Sequence, residues 1–380
     1  LKAQFDRKFV YEYIDTARPE GQTWTKIGEN LNEHLNLDLD ESAYRKAYTE
    51  YSRGRVDALP DKEFEKLMEE KRRINLAKRY LSYEKSANFD AIRDITIKSI
   101  LNEQAREAIR NSAPKLTFAE DVSAWADDGE EEYVFTLSDF HYNGDADMLL
   151  VLERVYAHIR LKQQELGFKK IKLLELGDTF DGGALRVSQL MAIKKGMVFQ
   201  VIDIAKAYAN LINRLSEDML VDFYCVTSSN HTQLRPLGTK QNQLVEEDLM
   251  QVFAEFIELS TELNDRVTVS KGTDLYFDVC GYDVFASHGH LVRNKEGYLQ
   301  KVAYNRGINI DYGLMGHYHH YREITLYSAE THNKKIFVVP SLNPNISNFE
   351  TDRDLSSKAG FILQVFNKTR GHRYTEELFI

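Results

Sequence analysis

The chain has 380 residues, 43% hydrophobic and 28% charged, enough for one large domain or two ordinary ones. Twenty Gly against six Pro excludes collagen-like and Pro-rich architectures, and two distant cysteines, Cys225 and Cys280, exclude a disulfide framework and a Cys-based zinc site. The net charge of −10 is uneven: residues 1–115 hold 22 Lys and Arg against 21 Asp and Glu, and the remainder holds 27 against 38. Such a balance argues against indiscriminate nucleic-acid binding but not against a local basic face or a metal-bearing site. No apolar run reaches the ~20 residues of a membrane span, and the start, LKAQFDRKF, has no apolar signal region. The expectation is a cytoplasmic protein with reduced thiols and no membrane partner.

The first region, 1–115, reads as all-α, with charged and apolar residues interleaved at helical spacing. Trp24, Ile27, Leu31 and Leu35 share one face of a helix, NLDLD breaks it, and a second helix starts at Glu41–Ser42 with Asp40 or Ser42 as its cap. Two short helices and a brief turn, about 20–55, have the outline of a helix-turn-helix. Arg45 and Lys46 on the second helix, with Arg53 and Arg55 beyond, suit contacts to DNA phosphates or base edges. The alternative is a small helical bundle whose basic residues form a solvated face. Residues 62–110 read as long charged helices: an arm, a spacer or a surface for homo-oligomer formation.

The pattern changes after Asn111–Pro114, and residues 116–380 read as a second domain. YVFTL (133–137), a helix over 147–166 and KIKLLEL (170–176) form a strand–helix–strand unit. Asp145 or Asp147 is a fair cap for that helix. Helices are predicted at 187–216, 243–260 and 295–306. Strands are predicted at 222–227, 275–279, 282–287, 312–316, 322–328, 335–341 and 361–366. The fold class is α/β, two packed sheets flanked by helices, preceded by the all-α region.

Residue types that bind metals fall directly after these strands. Asp139 and His141 follow YVFTL, Asp178 and Asp181 follow KIKLLEL, and Asn230 and His231 follow the strand at 222–227. His288 and His290 follow 282–287, and His317, His319 and His320 follow YGLMG. Sites in α/β sheets form at the carboxyl ends of strands. A mixed oxygen and nitrogen donor set without thiolate suits Mn²⁺, Fe or Zn²⁺. Two such ions ~3.5–4 Å apart, sharing a carboxylate, clamp a phosphate and activate a bridging water for in-line attack, with a protonated His serving the leaving oxygen.

Asp139-x-His141, Gly177-Asp178-x-x-Asp181, Asn230-His231, His288 and Gly316-His317-x-His319 occur in the order DxH, GDxxD, GNH(D/E), H, GHxH. Over roughly residues 130–345 the chain therefore resembles the calcineurin-like metallophosphoesterase superfamily. The resemblance implies an α-β-β-α sandwich and two divalent ions, Mn²⁺ foremost. One ion would take Asp139, His141, Asp178 and His319. The other would take Asp178, Asn230, His288 and His317, so that Asp178 bridges. It makes His231 the general acid and Asp181 a residue that orients a ligand or His231. His290 and His320 match no ligand position; His290 is read as structural or as a substrate contact.

Two departures bear on substrate. Thr232 stands where the family has an acid that orients the His, so another acid replaces it or His231 is tuned differently. Gly182 follows Asp181 where Ser/Thr protein phosphatases of the superfamily carry Arg, which argues against a protein phosphatase. GDTFD is similar to the DNA repair nuclease branch, and residues 20–55 loosely resemble domains ahead of phosphoesterases in bacteriophage and mobile elements. Arg235, with Lys240 nearby, either holds a flanking phosphate or sits in a solvated loop. Three readings follow: a DNA exo- or endonuclease, a phosphatase or phosphodiesterase for a nucleotide or other small ester, and a non-enzymatic DNA-bound regulator on a retired fold. The first is preferred, with DNA as substrate and any partner protein unidentified.

Overall fold

The computed structural model describes residues 7–57, 102–114, 116, 125, 129–182, 193–234, 247–328, 332–345 and 358–380. The chain divides into two compact units, Leu1–Asp90 and Ala91–Ile380. The range 1–115 suggested by composition runs past that division.

In the first unit, α1 (Arg7–Ala17), α2 (Trp24–Leu35) and α3 (Glu41–Asp57) bury Val10, Ile14, Ala17, Ile27, Leu31 and Tyr44 against one another. Thr23 caps α2 by accepting the Lys26 N–H, and Asp40 accepts the Ser42 N–H at the start of α3. Asn36 closes α2 in the left-handed conformation. Asn32 fastens the turn that follows: its amide donates to the Leu39 carbonyl at 2.8 Å, and its Oδ1 accepts the Tyr44 hydroxyl at 2.7 Å. The charged stretch from 62 to 101 lies outside the described residues.

The second unit begins, among its described residues, with α4 (Glu103–Ser112). Its Arg110 pairs with Glu262 at 2.7 Å and its Arg106 with Glu255. A six-stranded sheet runs in the order β11-β10-β1-β2-β3-β4, with β1 (Glu131–Leu137), β2 (Lys170–Glu175), β3 (Leu220–Val226) and β4 (Val267–Gly272) parallel. Antiparallel β10 (Gly360–Asn367) and β11 (Gly371–Phe379) extend it. The second sheet runs β5-β6-β7-β9-β8. In it β6 (Tyr282–Ser287), β7 (Tyr312–Met315) and β9 (Asn333–Val338) are parallel, with β5 (Leu275–Val279) and β8 (Arg322–Ser328) as antiparallel edges.

The parallel strands need helical crossovers. These are α5 (Leu150–Leu166), α6 (Met197–Leu215) and α7 (Met250–Thr261) for the first sheet and α8 (Lys295–Arg306) for the second. One apolar cluster joins α5, α6 and α7 to the first sheet, through Leu152, Ile159, Tyr208, Phe223 and Phe253 among others. A second joins the facing sheets through Val134, Leu174, Val226, Phe277, Val284 and Leu314. A third joins the second sheet to α8 through Phe285, Leu299 and Ile336. The layers are α-β-β-α, as expected.

Some boundaries differ from the sequence reading. The helix expected from 147 starts as a tight turn, Ala146–Leu149, with Asp145 accepting the Asp147 N–H. The helix expected at 243–260 starts at Met250, whose N–H is taken by the Asp248 carboxylate. The one expected at 187–216 is described from Met197. Strands β4 and β11 are additions; both are edges with polar, half-exposed faces.

Candidate metal centre

Because β1, β2 and β3 are parallel, their carboxyl ends lie along one edge of the sheet. Pairing continues past the strands: the Asp139 N–H donates to the Gly177 carbonyl at 3.0 Å and the His141 N–H to the Asp178 carbonyl at 2.9 Å. From the facing sheet, β6 delivers His288 and β7 delivers His317 and His319. Asp139, His141, Asp178, His317 and His319 all have φ between 51° and 71°. Only two other non-glycine residues among those described have positive φ, so left-handed strain is concentrated where the strands hand over their donors.

The donors form contiguous groups. Asp139, His141 and His319 offer ligand atoms within 4.8 Å of one another, and so do Asp178, His288 and His317. Asp178 also groups with His141 and His231, which places it between the two sets. Asp139 Oδ1 lies 3.3 Å from His319 Nε2, and Asp178 Oδ2 lies 3.0 Å from His288 Nε2. Asn230 Oδ1 is 3.0 Å from the same His288 nitrogen. His288 Nδ1 faces the Leu176 carbonyl at 3.0 Å, an acceptor only, so it carries a proton, and Nε2 is the atom that would meet a metal. His141 Nδ1 is held at 3.2 Å by Asp181, leaving its Nε2 toward Asp139 and His319. Asp181 thus orients His141.

The residues fit divalent cations. Asp139 Oδ1 is buried and accepts no hydrogen bond among the described residues. His141 Nε2 and His319 Nε2 approach to 3.2 Å, so that both nitrogens, once unprotonated, would meet a cation held between them. Burial alone would raise the Asp139 carboxyl; the charges of His319, His288 and His141 overcome it and hold the group well below the carboxylate range. Asp178 is held down likewise by His288 and His231. Burial opposes charge on His288, but Asp178 and Asp139 push it up to about 9. His317, half-buried and beside His288, is pushed down to about 4 by desolvation and the His288 charge.

His231 sits at the rim with its N–H donating to Asp178 Oδ1 at 2.9 Å and its ring 4.7 Å from that of His141. Burial pushes its imidazole below the ordinary range despite Asp178. Gly182 has a local explanation: at φ +68 a Cβ there would lie 2.2 Å from the His231 carbonyl oxygen. The backbone after Asp181 passes too close to the His231 loop for any side chain.

Sequence reasoning missed Asp248. This buried carboxylate accepts the Ser229 N–H at 2.8 Å, the Met250 N–H at 2.9 Å and the Thr232 hydroxyl. It grips both ends of the segment that carries Asn230 and His231. No motif spacing marks it, because it lies 16 residues beyond Thr232. Glu175, at the end of β2, was also missed; it accepts the Gly177 N–H at 3.2 Å and the Tyr208 hydroxyl. A Glu inside the apolar run KIKLLEL was its only signal.

His290 is half-buried with its ring 6.3 Å from that of His317 and belongs to neither ligand group. His320 Nδ1 lies 2.7 Å from the Tyr318 carbonyl oxygen. Arg45 and Lys46 are exposed on α3. Arg235 and Lys240 lie outside the described residues. Among the described residues no helix is long and apolar enough to cross a membrane.

No family model matches the chain. It is 25% identical over 375 residues to the SPbeta prophage-derived uncharacterized protein YonJ of Bacillus subtilis (strain 168), covering 92% of this chain and 90% of that one. Similar solved structures include a predicted phosphoesterase of Streptococcus pneumoniae TIGR4 (11% identity, TM-score 0.28, 66% of this chain and 98% of that one). Zinc-bound Vps29 of Entamoeba histolytica matches at 12% identity and a TM-score of 0.29, over 65% of this chain and 98% of that one. A metallophosphoesterase of Sphaerobacter thermophilus matches at 12% and 0.32, over 65% and 88%. Scores this low carry no weight for function, which has to be read from the side chains themselves.

Proposed function

We propose that the chain is a metal-dependent phosphoesterase of the calcineurin-like superfamily and that it hydrolyses phosphodiesters of DNA. The observation that carries the reading is buried Asp178, which groups with His288 and His317 on one side and with His141 on the other, so that donors from four strand ends meet at one carboxylate. Asp139, His141, His319 and Asp178 would hold one divalent ion, and Asp178, Asn230, His288 and His317 the other, with Mn²⁺ preferred. Such ions neutralise phosphoryl charge and make a water nucleophilic near neutral pH. The chain's own groups do the rest. Asp181 and the Leu176 carbonyl fix which imidazole nitrogen each ligand presents. His231, on a segment held by Asp178 and Asp248, supplies a proton to the departing oxygen.

DNA is favoured over a small ester by the helix-turn-helix outline of α2 and α3, by exposed Arg45 and Lys46, and by the GDTFD form. The prophage-derived relative is consistent with a mobile-element origin. The test is cleavage of end-labelled single- and double-stranded DNA, with bis(4-nitrophenyl) phosphate alongside, in Mn²⁺ and in EDTA. We expect Mn²⁺-dependent cutting that Asp178→Asn abolishes together with metal binding. Intact DNA beside a hydrolysed small ester would move the substrate to a nucleotide-sized phosphodiester; full activity in Asp178→Asn would refute the bridging role.

A further inference from the structure

The two histidines that β7 delivers are held by a residue that is not itself a ligand. Tyr318 stands between His317 and His319, whose φ values are 71° and 60°. A residue with a side chain keeps such a left-handed conformation only where its surroundings enforce it. Besides the His317 N–H, which donates to Asp139 Oδ2 at 2.7 Å, the restraint comes through Tyr318 from the loop after β6. The Tyr318 hydroxyl donates to the Val292 carbonyl at 2.6 Å and lies 3.4 Å from the Gly289 carbonyl oxygen. Val292 is anchored in turn. Its side chain is buried in the cluster that holds Phe285, Leu299 and Ile336, and its N–H donates to the Gly289 carbonyl at 2.9 Å.

The two loops pack without slack. Gly289 has φ +91, and a Cβ there would lie 3.3 Å from the Gly316 carbonyl oxygen and 3.5 Å from Tyr318 Cε2. The Lys295 ammonium, at the start of α8, sits 3.5 Å from the centroid of the Tyr318 ring, and the His317 ring lies 5.4 Å from it. His320 Nδ1 lies 2.7 Å from the Tyr318 carbonyl oxygen. Tyr318 is thus fixed at its hydroxyl, its ring and its carbonyl. The imidazoles on either side of it go to different donor groups: His319 joins Asp139 and His141, and His317 joins Asp178 and His288.

We propose that Tyr318, clasped by the Val292 carbonyl and Lys295, is a positioning residue that presets His317 and His319 for the two metal positions before any metal arrives. The proposal rests on the metal-dependent reading of the site and deepens it. Without the clasp the two histidines relax out of the left-handed region. Metal binding then has to restore the strained arrangement, so affinity falls although every ligand remains.

The experiment is Mn²⁺ titration calorimetry on the metal-free full chain, paired with melting in Mn²⁺ and in EDTA. Tyr318→Phe removes only the hydroxyl. Its Mn²⁺ Kd should rise about tenfold, the scale of loss when a partner that supports metal ligands is removed. Tyr318→Phe should also lower the melting temperature more in Mn²⁺ than in EDTA, because the metal-free loop relaxes and the metal-bound loop cannot. Lys295→Met, which keeps the stem and loses the charge, should weaken Mn²⁺ binding in the same direction. Lys295→Arg, which keeps a cation on the ring, should restore it. Wild-type Mn²⁺ affinity in Tyr318→Phe, or equal lowering of the two melting temperatures, would reduce Tyr318 to a structural contact and overturn the proposal. A loss in Lys295→Arg as large as in Lys295→Met would overturn the part given to the cation. If Tyr318→Phe weakens Mn²⁺ binding but the wild type hydrolyses no phosphoester, the functional reading falls and the positioning role stands. Hydrolysis by the wild type with unaltered Mn²⁺ affinity in Tyr318→Phe does the reverse.

Discussion

His231 and Asp248 carry the most specific consequences at the scale of single residues. Burial pushes the His231 imidazole below its ordinary range, and its Nδ1 is buried without a hydrogen-bond partner among the described residues. A proton donor so placed depends on the charge of a bound anion to hold its proton. His231→Ala should retain metal, measured by elemental analysis, while kcat falls by a factor on the order of 10²–10⁴. An unchanged kcat would remove His231 from the reaction. Asp248 acts through the segment it grips. In Asp248→Asn one carboxylate oxygen becomes an N–H facing donors, so the segment bearing Asn230 and His231 loses an anchor. Loss of such a supporting partner costs about 10–100-fold in metal affinity or activity. Thr232→Ser, which keeps the hydroxyl that Asp248 accepts, should retain both. If Asp248→Asn matched wild type in both metal affinity and kcat, the carboxylate would be only a local structural contact.

At the scale of elements, the site is a set of strand ends, and the end of β2 carries a buried acid. Burial, against the hydrogen bonds of Tyr208 and Gly177, pushes Glu175 up from 4.5 to about 7. Between those values the folded chain holds a proton that the unfolded chain has released. The stability from this group is therefore full below the ordinary carboxylate range, declines as pH rises toward 7, and is flat above. Asp248, raised to about 7 by burial, acts in the same direction. Glu175→Gln should flatten, without abolishing, the fall of melting temperature across that window; calorimetry that gives parallel wild-type and variant curves would contradict this. The elements themselves were legible to different degrees. Strands β1, β2, β3, β5, β6, β7 and β10 announce themselves as apolar runs bounded by turn residues, and α8 matches its predicted span of 295–306. β4 and β11 do not, because an edge strand with alternating exposure needs little apolar sequence.

For the whole molecule, the donor cluster joins two sheets, so a metal bound there would stabilise the second unit as well as supply its chemistry. Cations that bind only the folded state at 1,000 times their Kd add about 4 kcal/mol. Removing them with EDTA should lower the melting temperature by on the order of 5–10 °C. Asp178→Asn should melt at the same temperature with and without EDTA. Equal melting of wild type in Mn²⁺ and EDTA would separate the donor cluster from metal altogether.

The sequence by itself determined the donor types and their order. Asp139, His141, Asp178, Asn230, His288, His317 and His319 each follow a run that must be a buried strand, and local pattern suffices to see a strand end. It also determined α2, its turn and the start of α3, because caps and helical periodicity are local. Only the tertiary structure decided what those residues do to one another. That Asp178 lies between two donor groups, that Asp181 orients His141, and that Gly182 has no room for a side chain beside His231 depend on which strands lie side by side. The contacts of Asp248 with Thr232 and of Lys295 with the Tyr318 ring likewise join residues that no local pattern links. Contacts between residues distant in sequence leave no periodicity to read; they exist once the sheets have packed and buried the charges against one another.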